Sequence, residues 1–350
     1  MLYDAYGRPL TNLRISVTRE CNYRCVFCHI EGHPSGRPSR PGSTPPLMSP
    51  YEYAVTAKAA YKLGIREFKL TGGEPLLRKD IEEIVKAIRS EAPGSDISMT
   101  TNGYLLKDLA LKLRDAGLNR INVSLHSLKR EVYARITGVD GLDRVLEGIR
   151  SAIDAGYDKI KINAVVLRGL NENELWSLLE YARSIGAVLQ LIELHPVGLG
   201  AKSFRRFYTP LERFERALIE AGAKVTRREL HNRPIYILPD GSIVEVVRPY
   251  ANPIFCLGCR RVRLHDDGTL SPCLNWRGPR VDLVSRIRSV TTFEEKVAKA
   301  VEALREVNML RRPFYLWPRN DAALMDHARE LGLTGNSRPL RLSIPKKSKS

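Results

Sequence analysis

Six cysteines fall into two groups of three, and their spacing indicates metal chemistry. The first group, Cys21, Cys25 and Cys28, has the pattern C-x3-C-x2-C directly after an apolar, strand-like run. Three thiolates placed in this way can bind three irons of a 4Fe-4S cube, which leaves the fourth iron open to a ligand. Zinc would usually take four nitrogen or sulfur ligands, so zinc and unligated thiols are the alternatives at this point.

The second group, Cys256, Cys259 and Cys273, also supplies three thiolates, in the pattern C-x2-C-x13-C. It fits either a second cube with an open iron or a structural zinc site. Arg261 and Arg263 follow closely in the chain, and arginine forks bind phosphate and other planar anionic groups. The sequence therefore predicts an anion beside this second group.

Repeated strand–helix units must position the first group. Strand patterns alternate with helical patterns from residue 13 to residue 194, and Ser49-Pro50 is a typical helix start. Units of this length form right-handed crossovers and a parallel sheet. Six strands are too few for a closed eight-stranded barrel, so the predicted fold is α/β, a partial (β/α)6 TIM-like barrel. By analogy with closed barrels, its site should lie at the carboxyl ends of the strands.

The pattern changes after Pro196, and this change divides the chain into three parts. Residues 1–196 are predicted to form the barrel core, and residues 197–308 a C-terminal region that carries the second cysteine group. Residues 309–350 are predicted to form a tail with a disordered end. Residues 31–47 are rich in Pro, Gly and Ser, which predicts a long surface loop or lid.

The formal net charge of +17 indicates either a polyanionic partner or a basic surface that keeps the protein in solution. Basic residues are spread along the chain and aromatic residues make up only 7%, which weighs against nucleic acid as the partner. No run reaches the ~18 apolar residues of a membrane helix. The N-terminus lacks a signal-peptide pattern, so we expect a cytoplasmic protein without a membrane partner.

The first cysteine group, followed by Thr71-Gly72-Gly73-Glu74-Pro75, resembles the radical S-adenosylmethionine (SAM) superfamily. The resemblance implies that the amino and carboxylate groups of SAM chelate the open iron. It implies that an electron from the cluster then cleaves SAM and releases a 5′-deoxyadenosyl radical. It also implies the same partial-barrel fold.

The second cysteine group, with its Arg-x-Arg pair, narrows the resemblance to the GTP 3′,8-cyclase family, over about residues 7–308. That family catalyses the first step of molybdenum cofactor biosynthesis. Membership implies two 4Fe-4S clusters, SAM and the substrate GTP. The adenosyl radical would remove the hydrogen from C3′ of GTP, and the carbon radical would attack C8. The implied partners are a reductant and the next enzyme of the pathway, cyclic pyranopterin monophosphate synthase; a homodimer is left open.

Residue roles follow from this resemblance position by position. The six cysteines match the ligands of the two clusters. The matched cofactor-binding positions are Phe27, Gly72, Gly73, Glu74, Ser124 and His195. The matched substrate-binding positions are Arg14, Lys69, Thr100, Lys161, Arg261, Val262 and Arg263. GTP carries about four negative charges, which the basic members of this set can bind.

Two other functions stay open on the sequence alone. A peptide-modifying radical SAM enzyme also has an auxiliary cluster, although often with more C-terminal cysteines than the three found here. A zinc-ribbon protein that binds nucleic acid would account for the net charge. Metal analysis separates these classes, because the first contains iron and sulfide and the second contains zinc.

The C-terminus departs from the family pattern. Many family members end in a Gly-Gly tail that reaches the active site, whereas this chain ends in Lys349-Ser350. The sequence predicts that another segment replaces the tail, and the basic loop around Arg311 and Arg312 is the preferred substitute.

Overall fold

The structure is a computed structural model that describes residues 1–30 and 47–313. Most of the predicted lid and most of the predicted tail therefore lie outside the described residues. Two short strands, β1 (Leu2–Tyr3) and β2 (Pro9–Leu10), pair with each other ahead of the barrel. The six predicted barrel strands follow as β3 (Asn12–Ser16), β4 (Glu67–Thr71), β5 (Asp96–Thr101), β6 (Arg120–Ser124), β7 (Lys159–Val166) and β8 (Val188–Glu193).

Helices connect these strands, as the strand–helix alternation predicts. They are α1 (Pro50–Lys62), α2 (Ile81–Glu91), α3 (Leu106–Asp115), α4 (Arg130–Thr137), α5 (Leu142–Asp154) and α6 (Leu175–Ser184). The predicted start of α1 is confirmed, because Ser49 and Glu52 form a reciprocal capping box and Pro50 is the first helical residue.

The C-terminal region contains further strands and helices. The strands are β9 (Lys224–Arg228), β10 (Arg233–Ile237), β11 (Ile243–Val247), β12 (Arg261–Leu264), β13 (Thr269–Ser271) and β14 (Val281–Asp282). The helices are α7 (Leu199–Phe207), α8 (Glu212–Glu220), α9 (Pro253–Leu257), α10 (Val284–Arg288) and α11 (Phe293–Met309). The sequence did not predict α7.

Twelve strands join one sheet, in the order β14-β13-β12-β3-β4-β5-β6-β7-β8-β11-β10-β9. The C-terminal region extends both edges of the predicted core, since β12 pairs in parallel with β3 and β11 pairs in parallel with β8. Eight neighbouring strands thus run parallel, two more than predicted. Within the described residues no pairing joins β14 to β9, which confirms a partial rather than a closed barrel.

The two faces of the sheet differ in polarity because side chains alternate along each strand. On β3 to β5 the apolar positions are fully buried in the core between sheet and helices: Leu13, Ile15, Phe68, Leu70, Ile97 and Met99. The intervening positions are polar and line a cavity: Asn12, Arg14, Lys69, Ser98 and Thr100. A polar inner face of this kind suits a bound ligand rather than a packed core.

No helix in the described part of the chain has the length and apolar character needed to cross a bilayer.

Candidate active site

The first cysteine group lies on the loop after β3, and backbone hydrogen bonds fix that loop. The Val26 N–H donates to the Ile136 carbonyl of α4 at 3.0 Å, and the Leu199 N–H of α7 donates to the Cys28 carbonyl at 2.9 Å. All three cysteines line one cavity, which is also lined by the predicted cofactor-binding residues Phe27, Gly72, Gly73, Glu74 and Ser124. The structure thus brings together two motifs that are separated in the chain.

Both glycines of the Gly72-Gly73 turn lie against the backbone of the cysteine loop. A Cβ atom on Gly72 would lie 2.5 Å from the Thr18 carbonyl oxygen, and one on Gly73 would lie 2.1 Å from the Glu20 carbonyl oxygen. The Gly73 N–H donates to the Thr18 carbonyl at 2.8 Å. The Gly73 N–H and its lack of a side chain therefore serve the packing of this turn against the cysteine loop.

Glu74 connects this turn to the end of β5. Its buried carboxylate accepts hydrogen bonds from the Thr101 hydroxyl at 2.6 Å, the Asn102 N–H at 2.7 Å and the Leu76 N–H at 3.1 Å. Burial raises the pKa of Glu74 to about 7, although these three donors favour the charged form. Glu74 therefore holds the wall of the cysteine cavity in place, a structural role that the resemblance alone did not specify.

We expect Glu74→Gln to destabilise the protein by about 1–3 kcal/mol. Only one oxygen would remain for three donors, and the new amide N–H2 would face a donor. Denaturant unfolding of the metal-free protein measures this loss. Glu83→Gln on the neighbouring helix α2 is the control, because the Glu83 side chain is exposed and the change should be nearly neutral. Equal stability of the two variants would contradict the assigned role.

The environment of the first group fits an iron–sulfur cluster. Burial raises the pKa of Cys21 to about 11 and also raises the pKa of Cys25, and the charge of Cys28 adds to both effects. Thiols in such surroundings become thiolates only where a metal supplies positive charge. Three thiols that face one cavity next to a backbone turn are the donor set that such a cluster requires.

The positions of the thiols bear on whether they bind a cluster or a single metal ion. Among residues 1–30 and 47–313, no three His, Cys, Asp or Glu side chains are close enough to share one metal ion. In a cube each cysteine binds a different iron, so the thiols need not converge on one point. Each cysteine of a group would therefore bind a different iron of its cluster.

A second cavity, of about 320 Å³, opens between the polar faces of the strands. Cys256, Cys259 and Cys273 all line it. Six of the seven predicted substrate-binding residues line it as well: Arg14, Lys69, Thr100, Lys161, Arg261 and Arg263. The seventh, Val262, has a fully buried side chain on the opposite face of β12, so only its backbone is available to a ligand.

Neighbouring strands place three cations side by side. Arg263 of β12 is opposite Arg14 of β3, and Arg14 is opposite Lys69 of β4. Burial and the nearby Arg14 guanidinium lower the pKa of Lys69 well below its ordinary value, and the same two causes lower the pKa of Arg261. Buried cations that repel one another in this way indicate a site for a polyanion.

The opposite wall has a cluster of charges that sequence reasoning missed. Glu245 of β11 forms a buried ion pair with Lys161, and its carboxylate lies 2.9 Å from Arg233 and 3.5 Å from Arg228. Arg233 also donates to the Gln190 side-chain oxygen at 3.2 Å. Three cations thus share one carboxylate. A lone Glu inside the apolar run Ile243–Val247 was the available signal, because a buried carboxylate needs a cationic partner.

The two cavities adjoin. Six residues line both of them: Arg14, Phe27, His29, Thr100, Ser124 and His126. His195, a predicted cofactor-binding residue, lines only the larger cavity, where its Nε2 lies 3.1 Å from the Asn275 side-chain oxygen. Burial lowers the pKa values of His126 and His195 to about 3, so both imidazoles are neutral.

The comparisons with known proteins define the class. Residues 15–182 match the radical SAM superfamily, and residues 187–312 match the family described as Molybdenum Cofactor Synthesis C. The fold resembles that of Streptococcus suis SuiB bound to S-adenosylmethionine, with a TM-score of 0.60, 15% identity, and coverage of 85% of this chain and 68% of that one. It also resembles anSMEcpe with bound AdoMet, with a TM-score of 0.53, 16% identity, and coverage of 84% and 82%. This chain is a member of the radical SAM superfamily.

Closer relatives define the family. A probable GTP 3′,8-cyclase of Aeropyrum pernix is 45% identical over 350 residues, which span 100% of this chain and 96% of that protein. A probable GTP 3′,8-cyclase of Thermococcus kodakarensis is 45% identical over 90% of this chain and 100% of that protein. The chain therefore belongs to the GTP 3′,8-cyclase family, as the two cysteine groups predict.

Proposed function

We propose that this protein converts GTP to 3′,8-cyclo-7,8-dihydro-GTP, the first step of molybdenum cofactor biosynthesis. The observation that carries the proposal is the pair of adjoining cavities, each lined by one cysteine group, with buried cations in the larger one. When bound, the clusters and SAM supply the electron and the 5′-deoxyadenosyl radical that remove the C3′ hydrogen. The residues of the chain bind GTP, orient it and exclude water.

The arrangement of the larger cavity suggests how GTP lies in it. The guanine would face the second cysteine group, beside Arg261 and Arg263. The ribose would lie at the residues that line both cavities, because only there can C3′ approach the SAM side. The triphosphate would then bind the cations Arg14, Lys69 and Lys161, which line the same cavity. Holding both ends of the nucleotide in this way orients C8 toward the ribose and limits its freedom.

Product analysis tests the proposal. The reconstituted enzyme is incubated without oxygen with SAM, a reductant and GTP, and ATP replaces GTP in the control. Loss of the C3′ hydrogen atom is balanced by one electron and one proton gained after ring closure. We therefore expect a new nucleotide of the same mass as GTP but different retention time, formed only from GTP. SAM cleavage in the presence of GTP, without any new nucleotide, would contradict the proposed reaction.

GTP affinity should fall as the pH rises from 7 to 9. Burial lowers the pKa of Lys161 from its ordinary value to about 7, while Glu245 opposes that shift. The anionic triphosphate binds the protonated amine, so affinity is lost as pH rises through this pKa, by at most about tenfold per pH unit for one proton. Equilibrium binding at each pH measures the effect. Lys161→Met should flatten the profile, and an unchanged slope in that variant would contradict this assignment.

Arg263→Ala should weaken GTP binding by about 1.5–3 kcal/mol for each charged hydrogen bond lost, with SAM binding retained. The reason is the position of Arg263 beside Arg14 on the cavity wall. Arg277→Ala removes the same charge from an exposed position soon after Cys273 and serves as the matched control. Equal GTP affinity of the two variants, measured by anaerobic calorimetry, would remove Arg263 from the proposed site.

The reductant, the next enzyme, a homodimer and the cytoplasmic location stay predictions from the sequence. The peptide-modifying alternative is tested by the same incubation, since such an enzyme would leave GTP unchanged.

A further inference from the structure

The N-terminal segment before the barrel contacts the second cysteine group. Asp4 has a fully buried carboxylate, which accepts hydrogen bonds from the backbone N–H of Tyr6 at 2.9 Å and of Arg8 at 3.0 Å. The Arg8 guanidinium donates to the same carboxylate at 2.8 Å and to the Cys256 carbonyl at 2.7 Å. A residue near the start of the chain thus reaches a cysteine 248 positions later.

Arg311 makes a matching contact from the other end of the described chain. Its buried guanidinium donates to the Cys259 carbonyl at 2.6 Å and to the Arg8 carbonyl at 3.1 Å. It also lies 3.6 Å from the Asp4 carboxylate. The structure therefore does not place Arg311 in the cavity, where a substitute for the Gly-Gly tail would be needed. It places Arg311 behind the second cysteine group.

These contacts form one unit, which we call the cysteine clamp and define as Asp4, Arg8 and Arg311. One carboxylate orients two guanidiniums, and each guanidinium holds the carbonyl of a different cysteine. At the first cysteine group, in the described part of the chain, the guanidinium that reaches a cysteine carbonyl is that of Arg24, which donates to Cys21 and is exposed rather than buried. The clamp is thus a feature of the second group.

We infer that the cysteine clamp positions Cys256 and Cys259 for the second cluster and sets that cluster's reduction potential through its charge. The inference rests on the second cluster that the proposed function requires. Ligand position depends on the surrounding hydrogen bonds, and net charge near a cluster is one determinant of its potential. Two arginines and one aspartate leave a net positive charge behind a cluster that carries thiolates.

The two guanidiniums lie close enough to the second cysteine group for their charge to matter. They donate to the Cys256 and Cys259 carbonyls at 2.7 and 2.6 Å, so a cluster bound by these cysteines would feel their positive charge at short range. Positive charge favours the reduced, more negative cluster. Removing an arginine should therefore shift the potential to more negative values, and removing the aspartate charge should shift it to less negative values.

The test uses the reconstituted enzyme with both clusters and compares Arg8→Gln, Arg311→Gln and Asp4→Asn. We expect iron release to a chelator from the second cluster to become about tenfold faster in all three, as for other partners of metal ligands. Redox titration followed by electron paramagnetic resonance should show more negative potentials for the two arginine variants and a less negative potential for Asp4→Asn. SAM cleavage without GTP reports that the first cluster is intact.

Arg89→Gln is the matched control, because Arg89 also donates to backbone carbonyls, those of Ser95 at 2.8 Å and Gly117 at 2.7 Å, far from any cysteine in sequence. It should lower stability without changing either cluster property. Arg8→Lys keeps the positive charge but loses the planar guanidinium that donates to both Asp4 and Cys256. Its second cluster should therefore release iron faster and have an almost unchanged reduction potential. Potentials that do not move in opposite directions, or iron release equal to that of Arg89→Gln, would overturn the inference. GTP cyclisation enters none of these readouts, so failure here is distinct from failure of the proposed function.

Discussion

Replacing Cys21, Cys25 and Cys28 together with alanine is expected to abolish SAM cleavage and to leave about half of the iron, because one of two cubes is lost. All three thiols line one cavity with the Gly72-Gly73 turn, so no other cysteine can take their place. Iron and sulfide analysis after anaerobic reconstitution measures the first effect. The release of 5′-deoxyadenosine measures the second.

The second cysteine group provides the matched control for this experiment, because it also contains three cysteines. A variant without Cys256, Cys259 and Cys273 should lose the same amount of iron and still cleave SAM. SAM cleavage by the variant without the first group would refute the assignment of SAM to the smaller cavity. Loss of all iron from either variant would refute two independent clusters.

The second large effect concerns the product. Alanine at Cys256, Cys259 and Cys273 should abolish GTP cyclisation, although 5′-deoxyadenosine still forms. These cysteines line the cavity that also contains Arg14 and Lys161, and the cluster they bind would form the wall against the guanine. Without that wall the nucleotide is no longer held with C8 near the ribose. Chromatography of the nucleotides after a long anaerobic incubation measures the loss.

Arg263→Ala serves as the comparison for that experiment. It should weaken GTP binding and leave product formation measurable at saturating GTP, because the cluster remains. A triple cysteine variant that still cyclises GTP at high concentration would mean that the second group contributes only to stability.

The sequence was sufficient for the barrel core and for the cluster ligands. Strand–helix alternation is a local pattern, and the strands from β3 to β8 pair in sequence order, so local reading gave the correct topology. The cluster ligands could also be predicted from the sequence, because a cluster needs cysteines at short spacing. The placement of Cys256 and Cys259 beside a cavity with Arg14 required the C-terminal region to join the same sheet.

That joining was not predictable from local patterns. Strands β11 and β12 pair with β8 and β3 across long stretches of chain, and the energetics of such pairing depend on neighbours that are distant in sequence. For the same reason the sequence did not single out Arg228 and Arg233, which line a cavity beside Glu245. The net charge of +17 is thus explained in part by cations inside the barrel.

Helix α7 is a second element that the sequence did not predict. Leu199–Phe207 begins after a glycine with positive φ and without a side-chain cap, so it lacks the usual signal of a helix start. Its contacts account for it, because Phe204 stacks on Tyr208 with ring centroids 4.6 Å apart and Ser203 donates to the Val26 carbonyl of the cysteine loop. Packing against the loop decides the structure here, and a local pattern does not contain that information.

GTP deuterated at C3′ gives the most direct test of the central claim, that the SAM-side cavity presents the radical to the ribose of GTP in the adjoining cavity. The reconstituted enzyme is incubated with this substrate, SAM and a reductant, and both products are analysed by mass spectrometry. We expect 5′-deoxyadenosine to gain one deuterium and the cyclised nucleotide to have lost it. Unlabelled 5′-deoxyadenosine together with a nucleotide that keeps its deuterium would contradict the account.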